Sequence, residues 1–211
     1  MNAVNHTTCS GWAKVLAVVL VAFCLCACSA LGKVSVPTPA FYTLDGAPLA
    51  SAQPMPGAKL TLIISPPHAA SGFDSQRIVY LRETHHLEYF AHNEWIDPPA
   101  RMLGPLLVSA AQQTGAFAAV VLAAGSAAGD LRLNTEMLQL QHNFQSSPSR
   151  VQLTLRAYLT DEKTRRVLTW QEFYGEAIAA SDTPQGGVAA ANVAVQAVLA
   201  QVGQFLLNRP K

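Results

Sequence analysis

Charged residues are few in this sequence, and neither sign predominates. Lys and Arg number 14 against 13 Asp and Glu, and charged residues make up only 13% of the 211-residue chain. No extended basic run is present. Proteins that bind nucleic acid or dock electrostatically on anionic lipid need a concentrated positive surface. The composition therefore argues against both of these partners.

Cysteine is absent from everything after residue 28. The four cysteines are Cys9, Cys24, Cys26 and Cys28. A domain formed by later residues therefore contains no disulfide bond and depends on packing for its stability. Catalytic motifs are missing too, because the sequence has neither the Gly-x-Ser-x-Gly motif of serine hydrolases nor a P-loop. We assign no catalytic and no cofactor-binding residue.

An apolar run stands near the N-terminus. Val15 to Ala27 follow the positive charge of Lys14, which is the order of segments in a secretory signal peptide. As a helix these residues would extend about 20 Å, whereas a membrane-spanning helix has to cross roughly 30 Å of hydrocarbon. The run therefore predicts export rather than a membrane span.

The end of this run predicts lipidation. In Leu25-Cys26-Ala27-Cys28, a leucine stands three positions before a cysteine and a small residue stands immediately before it, as in a bacterial lipobox. We predict that residues 1–27 are a lipoprotein signal peptide and that Cys28 is acylated after cleavage. More than one buried acyl chain makes such an anchor stable. The alternative is ordinary signal cleavage after Ala27 or Ala30, with Cys28 incidental.

The chain after the signal divides into a tether and a domain. Residues 28–40, with Pro37 and Pro39, show no periodicity and predict a flexible tether. Residues 41–211 are sufficient for one domain with its own core. A change of apolar phase predicts a bulge near Glu136. Alternation and turn residues predict strands over 59–65, 77–81, 87–91, 117–122 (buried), 131–144, 150–160 and 167–174.

Two helices are predicted, and each begins at a proline. Asp97-Pro98-Pro99 predicts a helix start at which the Asp97 side chain caps free backbone N–H groups. Thr183-Pro184 opens the last helix. The order of elements predicts an α/β or α+β fold, with a mixed, mostly antiparallel sheet and two main flanking helices.

Histidines around the predicted strand over 87–91 form the one candidate metal site. On a strand, His86, Glu88 and His92 share a face, with Glu94 nearby, while His85 points to the opposite side. A metal site needs three or four ligands in fixed geometry, and adjacent histidines at a hairpin turn are typically solvated. We therefore predict that no metal is bound.

Trp95 has two interpretations in the sequence. Its large ring could belong to the core or anchor an interface, and we favour the core. Glu94 and Asp97 flank it as paired carboxylates would, but capping already accounts for Asp97. No pair of catalytic carboxylates is therefore predicted here.

Several short motifs, in order and at similar spacing, carry a family resemblance. They are Arg77-Ile78-Val79-Tyr80, Leu87-Glu88-Tyr89-Phe90, Asn93-Glu94-Trp95, Asp97-Pro98-Pro99 and Met102-Leu103. Phe41-Tyr42-Thr43-Leu44 and Arg132-Leu133 are similar as well. Together they resemble the ABC-type transport auxiliary lipoproteins, the PqiC/YmbA-like group, over roughly 41–207.

This resemblance implies a fold and a transport role. The implied fold is TolB N-terminal-like, with a mixed sheet of five or more strands. The implied partners are a periplasmic MCE-domain substrate-binding protein and an ABC permease with its ATPase, which move lipids or other apolar molecules across the envelope. A homo-oligomer is compatible with this role. The resemblance brings no catalytic residue.

The predicted anchor also indicates a cellular compartment. A palmitate-type anchor on Cys28 would hold the domain facing the periplasm of a Gram-negative bacterium, and Ser29, standing where aspartate signals inner-membrane retention, favours the outer membrane. The alternatives are a stand-alone structural or envelope-assembly lipoprotein without a transporter, and an envelope hydrolase.

Overall fold

A nine-stranded mixed sheet with two helices organises the part of the chain that the computed structural model describes, residues 38–45, 53–123 and 128–210. The expected α+β class and mixed sheet are confirmed. The elements in chain order are β1 (Ala40–Tyr42), β2 (Thr61–Ile64), β3 (His68–Ala69), β4 (Arg77–Glu83), β5 (His86–Trp95), α1 (Pro99–Gln113), β6 (Ala119–Leu122), β7 (Leu131–Asn143), β8 (Arg150–Asp161), β9 (Val167–Ile178) and α2 (Pro184–Leu207).

Strand β7 is the centre of the sheet because it is paired along both of its edges. One edge pairs with antiparallel β8 along almost its whole length, and β9 continues the sheet beyond β8. The other edge pairs in parallel with three strands in turn, β2 at its start, β3 near its middle and β4 at its end. Strand β6 flanks β2, while β5 and then β1 flank β4.

The β7–β8 pair follows the alternation of its sequence. Buried and half-buried side chains alternate along both strands, so one face is apolar and the other polar. The register shifts between Met137, which faces Leu155, and Gln139, which faces Thr154. This irregularity confirms the predicted bulge and explains the change of apolar phase.

Both helices cover the same face of the sheet. Leu103 and Leu107 of α1 share one buried cluster with Val195 and Val198 of α2 and with the inward side chains of β7 to β9. By length and composition α2 is the one helix of the described residues that could cross a membrane. Because 56% of its most apolar stretch is buried within the fold, it serves here as a core helix.

Strand β9 and helix α2 pack so closely that their backbones are in contact at Gly175. A Cβ built on Gly175 would lie 2.5 Å from the carbonyl oxygen of Ala194 and 2.8 Å from a methyl group of Val198. Any side chain at position 175 would therefore collide with the helix. Two residues earlier, at the preceding position on the inner face, Phe173 is fully buried and meets Phe205 edge to face, with ring centroids 5.6 Å apart.

The two helix starts differ in how they are capped. At α2 the predicted start is confirmed, because the helix begins at Pro184. The structure adds a cap at this start, since the Thr183 hydroxyl accepts the N–H of Gly186 at 3.1 Å. At α1 the predicted Asp97 cap is wrong. The cap position is Pro98, without a side-chain hydrogen bond, and Asp97 instead accepts from Arg101 one turn later at 3.1 Å.

Strand β6 is shorter and more exposed than predicted. We expected a buried strand over 117–122, but only Ala119–Leu122 are extended, and Val121 and Leu122 are each more than 40% exposed. Among the described strands β6 pairs only with β2. An apolar run cannot by itself distinguish a central strand from an edge strand.

Candidate interaction surface

The face of β7–β8–β9 that points away from the helices is open to solvent. It presents the residues that alternate with the core, and most of them are polar and half-buried. We call it the outer face. Its side chains are Arg132, Asn134, Glu136, Gln139 and Gln141 from β7, Arg150, Gln152, Thr154, Arg156 and Tyr158 from β8, and Trp170, Glu172, Tyr174, Glu176 and Ile178 from β9.

Ion pairs cross the outer face from strand to strand. Arg156 on β8 reaches Glu172 on β9 at 2.6 Å and Glu136 on β7 at 3.4 Å. Arg150 reaches Glu176 at 2.6 Å. Exposed pairs of this kind contribute little to stability. Their consequence is that the charges of the outer face are balanced and held in position.

Glu176 is the carboxylate most strongly held in its charged form. Its oxygens accept hydrogen bonds from the Tyr174 hydroxyl at 2.6 Å, from Gln152 at 3.0 Å and from Arg150 at 2.6 Å. These bonds, that of Tyr174 first, lower the pKa of Glu176 to about 2. The carboxylate is therefore ionised at any physiological pH.

Aromatic and apolar groups lie among these ion pairs. Trp170, which is 59% exposed, stacks on Tyr158 with ring centroids 6.3 Å apart. Tyr174 and Ile178, on the same strand, are at least half exposed. Exposed aromatic rings surrounded by polar groups are the typical composition of a protein-binding surface. The outer face of β9 is therefore the candidate interaction surface.

The outer edge of β9 is open as well. Among the described strands β9 pairs only with β8. Ala179, just after β9, donates its N–H to the Ser149 carbonyl. In an antiparallel pair, only every second residue bonds to the neighbouring strand. The odd-numbered residues of β9 therefore bond to β8, and the N–H and C=O groups of Glu172 and Tyr174 point away from it. In agreement, the Tyr174 carbonyl accepts the Gln201 side-chain amide at 2.9 Å. This edge can accept a further strand.

The predicted histidine group does not converge on one point. His85 occupies the β4–β5 turn with φ of 65°. His86 lies 4.0 Å from Glu83, with both side chains largely exposed, and Glu88 accepts the Tyr80 hydroxyl at 2.9 Å. Within the described residues no three metal-ligating side chains form a group that could hold a metal ion.

Trp95 lies in the core, as favoured. It is 3% exposed and belongs to the buried cluster. Its backbone N–H donates to the Gln76 carbonyl at 2.7 Å, which fixes the end of β5 against the start of β4. The predicted lipidation residue, Cys28, lies outside the described residues.

One polar cluster escaped the sequence analysis. The Ser149 hydroxyl donates to Asp182 at 2.5 Å. Because its one hydrogen is used in that bond, it accepts from His142 Nε2, which lies 2.9 Å away. His142 and Ser149 are almost fully buried, and His142 Nδ1 has no partner among the described residues. Burial lowers the pKa of His142, while the charge of Asp182 acts in the opposite direction. No local motif reveals the cluster, because its members come from β7, from the β7–β8 turn and from the segment before α2.

This cluster does not have the geometry of a catalytic triad. In a triad the histidine lies between the serine and the acid, whereas here the serine hydroxyl lies between His142 and Asp182. Ser149 is 1% exposed, so a substrate would not reach it. The cluster joins the β7–β8 turn to the segment that precedes α2.

Comparison with known protein families decides the identity. The model of the ABC-type transport auxiliary lipoprotein component matches residues 42–203, which include every described element except β1 and the last turn of α2. The chain belongs to this family. The resemblance found in the sequence is thereby confirmed, and the chain is an auxiliary lipoprotein component associated with ABC transport.

Solved structures agree with the fold of this auxiliary lipoprotein. Protein XCC0632 from Xanthomonas campestris superposes with a TM-score of 0.66 at 23% sequence identity, over 79% of this chain and 95% of that protein. The crystal structure of an uncharacterised protein gives a TM-score of 0.56 at 17% identity, over 82% and 96%. At these identities the likeness concerns the fold alone. No curated protein matches the chain.

Proposed function

We propose that this auxiliary lipoprotein is anchored through acylated Cys28, faces the periplasm from the outer membrane, and serves an MCE-type ABC transport system. That system would move lipids or other apolar molecules across the envelope. The observation that carries the proposal is the family match over 42–203. The auxiliary lipoprotein would act by binding an MCE-domain protein or the permease complex and holding it near the membrane.

The anchor follows from the N-terminal sequence. Cleavage before Cys28 would leave the lipidated cysteine, a tether over 28–40 and a domain over 41–211. The residues of this tether after Cys28, 29–40, reach at most about 40 Å when fully extended. The domain could therefore meet a partner at some distance from the membrane. Ser29 in place of aspartate supports the outer membrane.

The outer face of β9 supports docking as the mode of action. Trp170 and Tyr174 supply exposed aromatic area, and aromatic residues carry much of the binding energy in protein interfaces. The surrounding ion pairs supply a polar rim. No observation within the described residues favours the hydrolase alternative, since the one Ser–His–Asp cluster is buried and structural.

Capture from solubilised envelopes tests the partnership. Wild-type lipoprotein should retain an MCE-domain protein or a permease subunit in mild detergent. Trp170→Ala with Tyr174→Ala should reduce the retained amount at least tenfold, whereas Val193→Ala, which removes an equally exposed side chain on α2, should not. Failure of the wild type to retain any MCE or transporter subunit would favour the stand-alone lipoprotein.

Metabolic labelling with palmitate tests the anchor. Cys28→Ala should abolish incorporation and release the protein from membranes. Cys26→Ala is the matched control, because it removes a cysteine two positions away that would be cleaved off with the signal, and its labelling should remain. Continued labelling of Cys28→Ala would contradict the lipobox assignment.

A further inference from the structure

We propose that a groove between β9 and α2 binds an extended, uncharged strand of a partner protein, which adds to the open edge of β9. The groove is a different surface from the aromatic outer face. The inference deepens the proposed function, on which it rests only for the identity of the partner. Addition of a strand to a sheet edge combines backbone hydrogen bonds with side-chain pockets.

The edge of β9 supplies the backbone half of such a site. Over Trp170–Ile178 the N–H and C=O groups of every second residue point away from β8, and no described strand pairs with them. Glu172, Tyr174 and Glu176 lie among these residues. The edge contains no proline, which is one of the features that commonly protect exposed edges.

The groove supplies the side-chain half. It has a volume of about 500 Å³, within the range of ligand-binding clefts. Its walls are β9 on one side and the C-terminal half of α2 on the other. The lining residues are Thr169, Gln171, Ala200, Gln201, Gln204, Phe205 and Asn208.

The chemistry of these walls selects the occupant. None of the lining residues is charged, and α2 has no charged residue anywhere along Pro184–Leu207. A charged side chain would lose its hydration in this groove without gaining an ion pair, which is unfavourable. Side-chain amides and Thr169 can instead bond to uncharged polar groups. The occupant is therefore a polypeptide strand whose groove-facing residues are uncharged.

Gln201 already makes one hydrogen bond to the outward edge of β9. Its side-chain amide donates to the Tyr174 carbonyl at 2.9 Å, in the position where the backbone N–H of an added strand would donate. The neighbouring outward carbonyls, those of Glu172 and Glu176, have no such bond among the described residues. An incoming strand would take over the role of Gln201 and extend it to both neighbours.

Two pairs of variants test whether binding depends on the groove and on the edge of β9. Ala200→Phe would fill the groove from an exposed helix position, and Ala197→Phe adds the same ring to an exposed position outside it. Glu172→Pro removes an outward N–H without breaking the β8–β9 ladder, whereas Glu172→Ala removes the same carboxylate and keeps the N–H. Circular dichroism and thermal unfolding establish that each variant is folded.

A library of displayed random octapeptides is the first probe. Peptides selected on the wild type should lack charge at alternate positions. They should bind at least tenfold more weakly to Ala200→Phe and Glu172→Pro, while Ala197→Phe and Glu172→Ala retain binding. The proposal is overturned if no peptide distinguishes wild type from Ala200→Phe, or if the selected peptides carry charges at alternate positions.

The MCE-domain protein is the second probe, with hydrogen exchange as readout. Strand addition should slow exchange of the Glu172, Tyr174 and Glu176 amides in the complex. If peptides bind as expected but no MCE protein is captured, the groove stands and the proposed function fails. If the MCE protein binds while these amides exchange unchanged, the groove assignment fails and the function stands. A third outcome is that the wild type self-associates and that both Ala200→Phe and Glu172→Pro prevent this. The groove would then bind a second copy of this chain, and the proposed partner would be wrong.

Discussion

The two faces of the β7–β8–β9 sheet differ completely although the same strands build them. The inner face is a continuous apolar layer of fully buried side chains such as Leu155, Leu159 and Phe173 beneath α2. The outer face, one residue away along each strand, carries ion pairs and half-exposed aromatic rings. Strand alternation thus places the residues that stabilise the fold on one face of the sheet and the residues available for binding on the other.

This separation has a practical consequence for mutagenesis. Substitutions on the inner face should act through the free energy of unfolding, because they leave cavities in packed structure. Substitutions on the outer face should leave folding nearly intact and act on binding. Adjacent residues of one strand can therefore serve as matched controls for each other.

The largest effect is expected from Phe173→Ala, which should lower the free energy of unfolding by about 3–5 kcal/mol. Phe173 is fully buried against Phe205. Urea denaturation followed by circular dichroism measures the change. Tyr174→Ala, one residue later on the outer face, should cost less than about 1 kcal/mol, close to an ordinary surface substitution. Equal losses for the two variants would contradict the division between the faces.

A second effect concerns the polar group inside the apolar layer. His142→Leu should lower stability at neutral pH by about 1–3 kcal/mol, since it removes the hydrogen bond to buried Ser149. It should also change the pH dependence. Burial lowers the pKa of His142 in the folded state below 6.5, so the unfolded chain takes up the proton first and stability falls as the pH falls below 6.5.

Urea titrations between pH 7.5 and pH 5 measure this dependence. The wild type should lose more stability than His142→Leu as the pH is lowered, with little difference in slope above pH 7. Parallel curves for the two proteins would show that His142 does not titrate differently on folding.

A smaller effect is expected where α2 begins. Thr183→Ala removes the hydroxyl that accepts the Gly186 N–H and should cost about 1 kcal/mol. Thr183→Ser keeps a hydroxyl and should remain close to the wild type. Thermal unfolding measures both variants, and an unchanged midpoint for Thr183→Ala would mean that solvent replaces the cap without loss.

The smallest effect is expected on the outer face. Glu176→Gln should cost less than about 1 kcal/mol at pH 7, because its partners are partly exposed. The folded-state pKa of Glu176 is about 2, against 4.5 ordinarily. Its contribution should therefore be complete above pH 4.5 and disappear as the pH falls towards 2. A larger wild-type advantage at pH 3 than at pH 7 would contradict this sign.

Sequence reasoning succeeded where a local pattern determines the structure. The long β7–β8 pair and its bulge follow from alternation, and the start of α2 at Thr183-Pro184 follows from the residue types that favour a helix start. It failed where a choice depends on remote groups. Asp97 could cap α1 or bond Arg101, and the structure has the second arrangement. The apolar run of β6 became an exposed edge because of where the strand lies in the sheet.

The candidate surface was only half visible in the sequence. The strand over 167–174 was predicted. Its aromatic residues Trp170 and Tyr174 are four positions apart and therefore share a face of the strand. They were a usable signal, since large rings on a polar strand face suggest an interface. The groove beside them could not be predicted, because it forms between residues of β9 and residues of α2 that lie some thirty positions later in the chain.

Gly175 has a consequence for the proposed binding site. With no side chain at that position, the backbones of the strand and the helix meet beside Ala194. This contact sets the distance between the two walls of the groove, which begins on α2 at Ala200, nearly two turns later. A methyl group there would act as a spacer. Gly175→Ala should accordingly alter which strands the groove accepts as well as the stability of the fold.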